Sequence, residues 1–220
     1  MEKKKSEMIR EVYQLLIADF GKQEWWPAES DFEVIIGAIL TQNAAWSNVE
    51  KALSALKERN LLKPEALSKV PDEELAQILR PSGYYNQKLR KIREFLKHIK
   101  AHGTLQNFLN LPMDELRSEL LSIWGIGEET ADDIVLYAAH KPSFVIDAYT
   151  RRIISRVGIL DESRPYSEFK ELFESSFKPN VDEFKEYHAL LDELAKRNCK
   201  KKPLCETCPL SKLCNYDNEE

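Results

Sequence analysis

Cysteine is absent from the first 198 positions of this 220-residue chain, glycine is scarce at 7 residues, and no apolar run is long enough to cross a membrane. The first absence excludes a disulfide framework spread through a domain. The second, with strand-period alternation nearly missing, argues against a β-sandwich and for a helical globule, as do 43% hydrophobic and 31% charged residues. The third leaves no secretion signal either, because MEKKKSEMIREVYQLL is charged and then amphipathic. These features predict a soluble, cytoplasmic protein with no membrane partner. The length allows a sizeable core in one or two lobes.

Net positive charge is lacking as well, with 32 Lys and Arg against 37 Asp and Glu, so the whole molecule does not attract polyanions. Positive charge is instead local. Between Ala195 and Cys214 stand Lys196, Arg197, Lys200, Lys201, Lys202 and Lys212 against the single acid Glu206. Such a run is either a solvated tail or a patch for phosphates.

Helix signals recur along the chain. Phe32 to Leu40 is apolar nearly all round, as expected of a helix buried in the middle of a lobe. Ser47 and Glu50 have the spacing of a capping box, and Val49, Ala52, Leu53 and Leu56 follow at one-face spacing. Leu89, Ile92, Leu96 and Ile99 form another stripe, with Lys88, Arg90, Lys91 and Arg93 mostly off it as a basic side. Tyr166, Phe169, Leu172 and Phe173, then Tyr187, Leu190, Leu191 and Leu194, predict two more helices.

Met113, Leu116 and Leu120 lead to Trp124-Gly125-Ile126-Gly127, after which Ala131, Ile134, Val135 and Ala138 restart the period. The pattern is helix, glycine hairpin, helix. The two glycines permit positive φ and close backbone approach, and a helix N-terminus beyond them favours an anion. Glu128 and Glu129 suit the helix dipole but oppose a phosphate brought too close. The four cysteines follow as Cys199, Cys205, Cys208 and Cys214, a cluster that in a cytosolic chain suits iron-sulfur or zinc rather than disulfides.

LLSIWGIGEETADDIV followed by FVIDAYTRR resembles the helix-hairpin-helix and Gly/Pro-Asp region of the endonuclease III superfamily of DNA glycosylases. The likeness extends through DFEVIIGAILTQNAAWSNVEKAL, RPSGYYNQKLRKI and EYHALLDELAKRNC. It implies an all-α, two-lobed fold with a C-terminal iron-sulfur cluster loop, acting as a monomer on double-stranded DNA that contains a damaged base. It places a six-helix barrel lobe at 31–141, with the hairpin motif at about 117–139, and a second lobe at 1–30 plus 142–220, with the cluster loop at 199–214. The hairpin residues Gly125, Ile126, Gly127 and Thr130 and the lysines Lys200, Lys201 and Lys202 are then the candidate DNA contacts. Cys199, Cys205, Cys208 and Cys214 are the candidate ligands of a [4Fe-4S] cluster, with zinc as the alternative; one residue is missing from the family's first cysteine spacing.

In the endonuclease III branch a lysine after the hairpin attacks the sugar and then cuts the strand. Glu129 stands at that position, and a carboxylate forms no Schiff base, so the resemblance implies base removal without lyase chemistry. The matching aspartate is Asp147, either a catalytic carboxylate that stabilises positive charge on the sugar or the N-cap of the next helix, or both. The GEETAD hairpin, Asp-Ala-Tyr, RPSGYYNQK and WWPAESDFEVIIGAILTQN are similar to the 3-methyladenine DNA glycosylase III branch, which implies an alkylated purine as substrate. Trp25, Trp26, Pro27 and Trp46 are the candidate pocket for a flat cationic base, and Gln42 the side chain that fills the gap left by it. Tyr84 and Tyr85 are either core or pocket. The alternatives are a glycosylase for mismatched thymine, uracil or oxidised bases, a bifunctional lyase using Lys88 or Lys91, and a non-catalytic DNA-binding protein.

Overall fold

The computed structural model describes residues 2–23 and 28–216, and among the described residues it is entirely helix, turn and loop, with no strand. No helix there is long and apolar enough to cross a membrane. The chain forms two compact units: the middle up to Lys141 is one, and the N-terminal helix α1 (Glu2–Phe20) with everything from Pro142 onward is the other. Trp25, Trp26 and Pro27 lie outside the described residues.

The middle unit contains α2 (Asp31–Thr41), α3 (Trp46–Glu58), α4 (Pro64–Leu67), α5 (Asp72–Leu79), α6 (Tyr85–Ala101), α7 (Leu105–Leu109), α8 (Met113–Ser122) and α9 (Glu128–Asp133). After α9 the backbone runs on as one turn of π-helix, Ile134–Ala138. Its centre is α2, which packs on α3, α6, α9 and the π turn. Every residue from Phe32 to Leu40 is buried, and each large aliphatic side chain there contributes roughly 1.5–3 kcal/mol. Burial on all sides is why this helix reads as apolar all round.

The capping signal lies elsewhere than Ser47. Helix α3 starts at Trp46, with Ala45 as N-cap and no side-chain cap, and the Ala45 carbonyl accepts from the Asn48 and Val49 amides at 2.9 and 3.3 Å. Asn43 at φ 53° turns the chain early, so Ser47 falls inside the first turn. The same Ser-x-x-Glu pattern does its capping at Ser30, whose Oγ accepts from the Glu33 amide at 3.2 Å, while the Glu33 carboxylate accepts from the Glu29 amide at 3.0 Å. The α3 stripe of Val49, Ala52, Leu53 and Leu56 is buried as expected.

The basic side read on α6 is largely not a surface. Lys88 is 2% exposed and its Nζ donates to the carbonyls of Leu40 at 2.8 Å and Ser82 at 2.5 Å. It caps the end of α2 and pins the turn before α6, a use of its charge that opposes the cost of burial. Arg93 pairs with Asp72 at 2.8 Å and donates to the Leu67 carbonyl at 2.9 Å. Arg90 alone of the four keeps an exposed position, with its guanidinium 3.8 Å from the centre of the Trp124 ring.

The second unit adds α10 (Ala148–Val157), α11 (Tyr166–Ser176) and α12 (Val181–Arg197) to α1, which packs on α11 and α12. Its core is aromatic. Phe144 stacks on Phe173 at 4.1 Å and meets the edges of Phe184 and Tyr187 at 5.4 and 5.7 Å. Phe144 belongs to a buried stretch, 143–146, whose amides are tied at both ends: Phe144 N donates to Glu174 at 2.9 Å and Ile146 N to the Tyr166 hydroxyl at 3.2 Å. The residue that emerges from this anchored stretch is Asp147.

Candidate functional site

Asp147 is the N-cap of α10, its Oδ1 accepting from the Thr150 amide at 2.7 Å. Its other oxygen, Oδ2, lies 3.9 Å from Nε2 of His188 on α12. The aspartate side chain is one-fifth exposed, while His188 is buried behind it. Burial works to raise the carboxyl pKa, but the His188 ring and the Thr150 bonds outweigh it and hold the group below its usual 3.8. The result is a fixed, ionised carboxylate with one edge open. His188 carried no signal in the sequence, because its partner is 41 positions away on another helix.

The glycine hairpin lies in the middle unit. Gly125 has φ +84°, and a Cβ there would meet the Lys91 side chain at 2.6 Å, so both conformation and space require glycine. Gly127 differs from the expectation of positive φ: it is the extended N-cap of α9 at φ −95°, and a Cβ there would meet nothing within 4 Å. The free fold therefore makes no demand for glycine at 127. Ile126 is buried, which roots the hairpin in the core, and Glu129 is exposed in the first turn of α9.

Two sets of polar bonds fix the hairpin. Arg117 on α8 makes a two-pronged bond to Asp132 on α9, at 2.9 and 3.0 Å, and Asp132 is fully buried. Gln42 donates from Nε2 to the Thr130 hydroxyl at 2.7 Å and to the Gly125 carbonyl at 3.3 Å, and its Oε1 accepts from Lys91. Gln42, Gly125 and Thr130 are thus brought together. Without DNA, the Gln42 amide expected to fill the gap left by a flipped base bonds these hairpin residues. Trp46 is half-buried at the start of α3. Tyr84, undecided from the sequence, is 68% exposed at φ 46°, immediately before α6, whereas Tyr85 is half-buried.

The cysteine loop sits in the same unit as Asp147 and is held by the same helix. Asp147 caps the start of α10; Arg152 and Arg156, further along, hold the loop. Arg152 donates to the Cys199 carbonyl at 3.0 and 2.7 Å, and Arg156 donates to the Lys200 carbonyl at 2.6 Å and to Cys199 Sγ at 3.3 Å. All four cysteines are half-buried and unbridged. Four thiols within sixteen residues are a soft donor set that fits a thiolate-ligated metal centre, iron-sulfur or zinc. Lys200, Lys201 and Lys202 are exposed, with their backbone drawn inward by the arginines.

Residues 36–179 match the family described as HhH-GPD superfamily base excision DNA repair protein. The chain is 44% identical over 217 residues, 97% of its length and 99% of the relative's, to a Methanocaldococcus jannaschii protein provisionally named a DNA repair glycosylase. Among solved structures it is similar to endonuclease III in a non-covalent complex with DNA, with TM-score 0.81 and 25% identity, covering 96% of this chain and 95% of that one. It is also similar to the H. pylori 3-methyladenine DNA glycosylase bound to 1,N6-ethenoadenine, with TM-score 0.75 and 26% identity, covering 87% and 97%.

Proposed function

Because the chain belongs to the HhH-GPD superfamily of base excision DNA repair proteins, we propose that it is a monofunctional DNA N-glycosylase that flips a damaged base from duplex DNA and hydrolyses its bond to the sugar. The observation that carries this reading is Asp147, a carboxylate kept ionised and rigid by His188 and the start of α10. As the bond to the base breaks, positive charge develops on the sugar; an oriented carboxylate stabilises that charge and directs or deprotonates the attacking water.

The remaining parts have supporting roles. Gly125, Ile126, Gly127 and the α9 start with Thr130 hold a phosphate, where amides and the positive end of the helix favour an anion. The bare Gly127 allows a backbone approach that a methyl group would obstruct. Lys200, Lys201 and Lys202 add phosphate contacts, and Tyr84 presents an exposed ring that a base could stack on. Gln42 supports the hairpin that receives the DNA. Cys199, Cys205, Cys208 and Cys214 would hold a [4Fe-4S] cluster, which would brace the loop and, through Arg152 and Arg156, the helix that Asp147 caps.

Strand cutting has no ready amine. Glu129 supplies none, and of the two alternative nucleophiles Lys88 is enclosed and committed to two carbonyls while Lys91 donates to the Gln42 Oε1. An alkylated purine such as 3-methyladenine is the proposed base: it is already cationic, so a carboxylate and an aromatic pocket suffice and no acid need protonate the leaving group. Trp46, with Trp25, Trp26 and Pro27, is proposed to form that pocket. Duplexes that each carry one defined lesion test this reading. Free 3-methyladenine should be released and the abasic strand should stay intact until alkali is added; release of thymine, uracil or oxidised bases alone would reject the substrate assignment.

A further inference from the structure

The end of α6 and the middle of α8 bring together two imidazoles and a carboxylate that base removal does not use. His98 and His102 are four positions apart, at the last turn of α6 and its C-cap, so their rings leave one side of the helix. Glu119 of α8 faces both: its Oε2 is 2.7 Å from His98 Nε2 and 3.7 Å from His102 Nε2. One ligand atom from each residue lies within 4.8 Å of the other two. The rings are held in place by Phe108, 5.5 Å from His98 and 5.0 Å from His102, and Asn107 donates to the His102 carbonyl at 3.3 Å.

A His98–Glu119 hydrogen bond accounts for half of this arrangement. It leaves over the second imidazole, whose Nε2 faces the same oxygen from 3.7 Å, beyond hydrogen-bond reach. A divalent ion among the three ligand atoms gives all of them a partner, imidazole nitrogen being the commonest metal ligand in proteins. Tetrahedral bonds of 2.0–2.2 Å place neighbouring ligand atoms about 3.3–3.6 Å apart, and the observed 2.7 and 3.7 Å lie on either side of that range. Imidazole and carboxylate together select Zn2+, Ni2+ or Cu2+ over Mg2+ or Ca2+. The side chains are 24%, 26% and 36% exposed, which leaves room for water to complete the coordination.

We infer that His98, His102 and Glu119 form a binding site for a borderline divalent transition-metal ion, distinct from the cysteine loop, that clips α8 to α6. The clip acts on the hairpin: α8 leads into it, and α6 supplies the Lys91 side chain that lies over Gly125 and the Arg90 that covers Trp124.

Calorimetric titration with Zn2+ tests the site in the full-length protein, with the cysteine loop unaltered in every arm. The native protein should bind one equivalent more than His98→Ala/His102→Ala, and Zn2+ should raise its melting temperature more. Glu119→Gln keeps the size of the side chain, so it serves even if the double variant fails to fold, and it should bind that equivalent more weakly or not at all. Equal uptake and equal thermal shift in the native protein and in Glu119→Gln would overturn the site.

Discussion

The glycine hairpin and the cysteine loop are both proposed to meet phosphate, yet they are held by opposite means. The hairpin is fixed by the chain itself: the two-pronged bond of half-buried Arg117 to buried Asp132, the Gln42 bonds to Gly125 and Thr130, and the Lys91 stem over Gly125. The loop has a single buried apolar side chain, Leu210, and a short 3-10 turn at Cys205–Thr207; its other ties are two arginines on its carbonyls, the Asn198 side chain on Thr207, a few backbone bonds, and four cysteines close enough for their charges to interact. Internal packing sustains the first, and a bound cluster would sustain the second.

The largest difference should appear when the cluster is removed. Cys208→Ser should lose most of the iron, about four atoms per chain in the native protein, and limited proteolysis should then cut within 199–214 while the hairpin stays protected. Stoichiometric zinc without iron in native protein would replace the cluster with the alternative metal.

Next comes the pair within the hairpin. Arg117→Ala removes the two-pronged bond to buried Asp132 and should destabilise the protein by about 3 kcal/mol in urea unfolding, whereas Arg117→Leu/Asp132→Leu should recover much of that loss. Lysine removal from the loop should affect binding more than folding. With Lys200, Lys201 and Lys202 all changed to Ala, the slope of log affinity against log salt should flatten by roughly one unit per lost phosphate contact. An unchanged slope would assign those lysines to solvent.

The smallest effect on stability separates the two glycines. Gly127→Ala should change stability by no more than about 1 kcal/mol, yet weaken binding to duplex DNA. Gly125→Ala should destabilise the free protein, because its Cβ would collide with Lys91 at positive φ. Equal DNA affinity in native protein and Gly127→Ala would remove the proposed close approach at that position.

Much of the fold was legible because its signals are local. The apolar run at 32–40, the α3 stripe and the helix-glycine-helix pattern each lie within a few turns of chain, and each corresponds to an element observed. The errors arose where distant backbone decides. Ser47 and Ser30 carry the same Ser-x-x-Glu pattern, and only the turn at Asn43 determines which one caps. Lys88 reads as part of a basic helix side until the carbonyl of Leu40, 48 positions away, is set beside it. Asp147 was readable as a residue, both as carboxylate and as cap, but its charge state rests on His188, which no short-range pattern joins to it.

Asp147 also sets the acid side of the account. Its depressed pKa means that the stability gained from its ionised form is present above the ordinary carboxylate value of 3.8 and is lost only as pH falls through the lower folded value. Asp147→Asn keeps the side chain's size and an oxygen for the Thr150 amide but removes the charge. Single-turnover release of 3-methyladenine from a defined duplex, measured beside binding of the same duplex, therefore tests the central claim most directly. Release should fall by about a hundredfold or more while binding persists; near-native release by Asp147→Asn would contradict the assignment of Asp147 as the catalytic carboxylate.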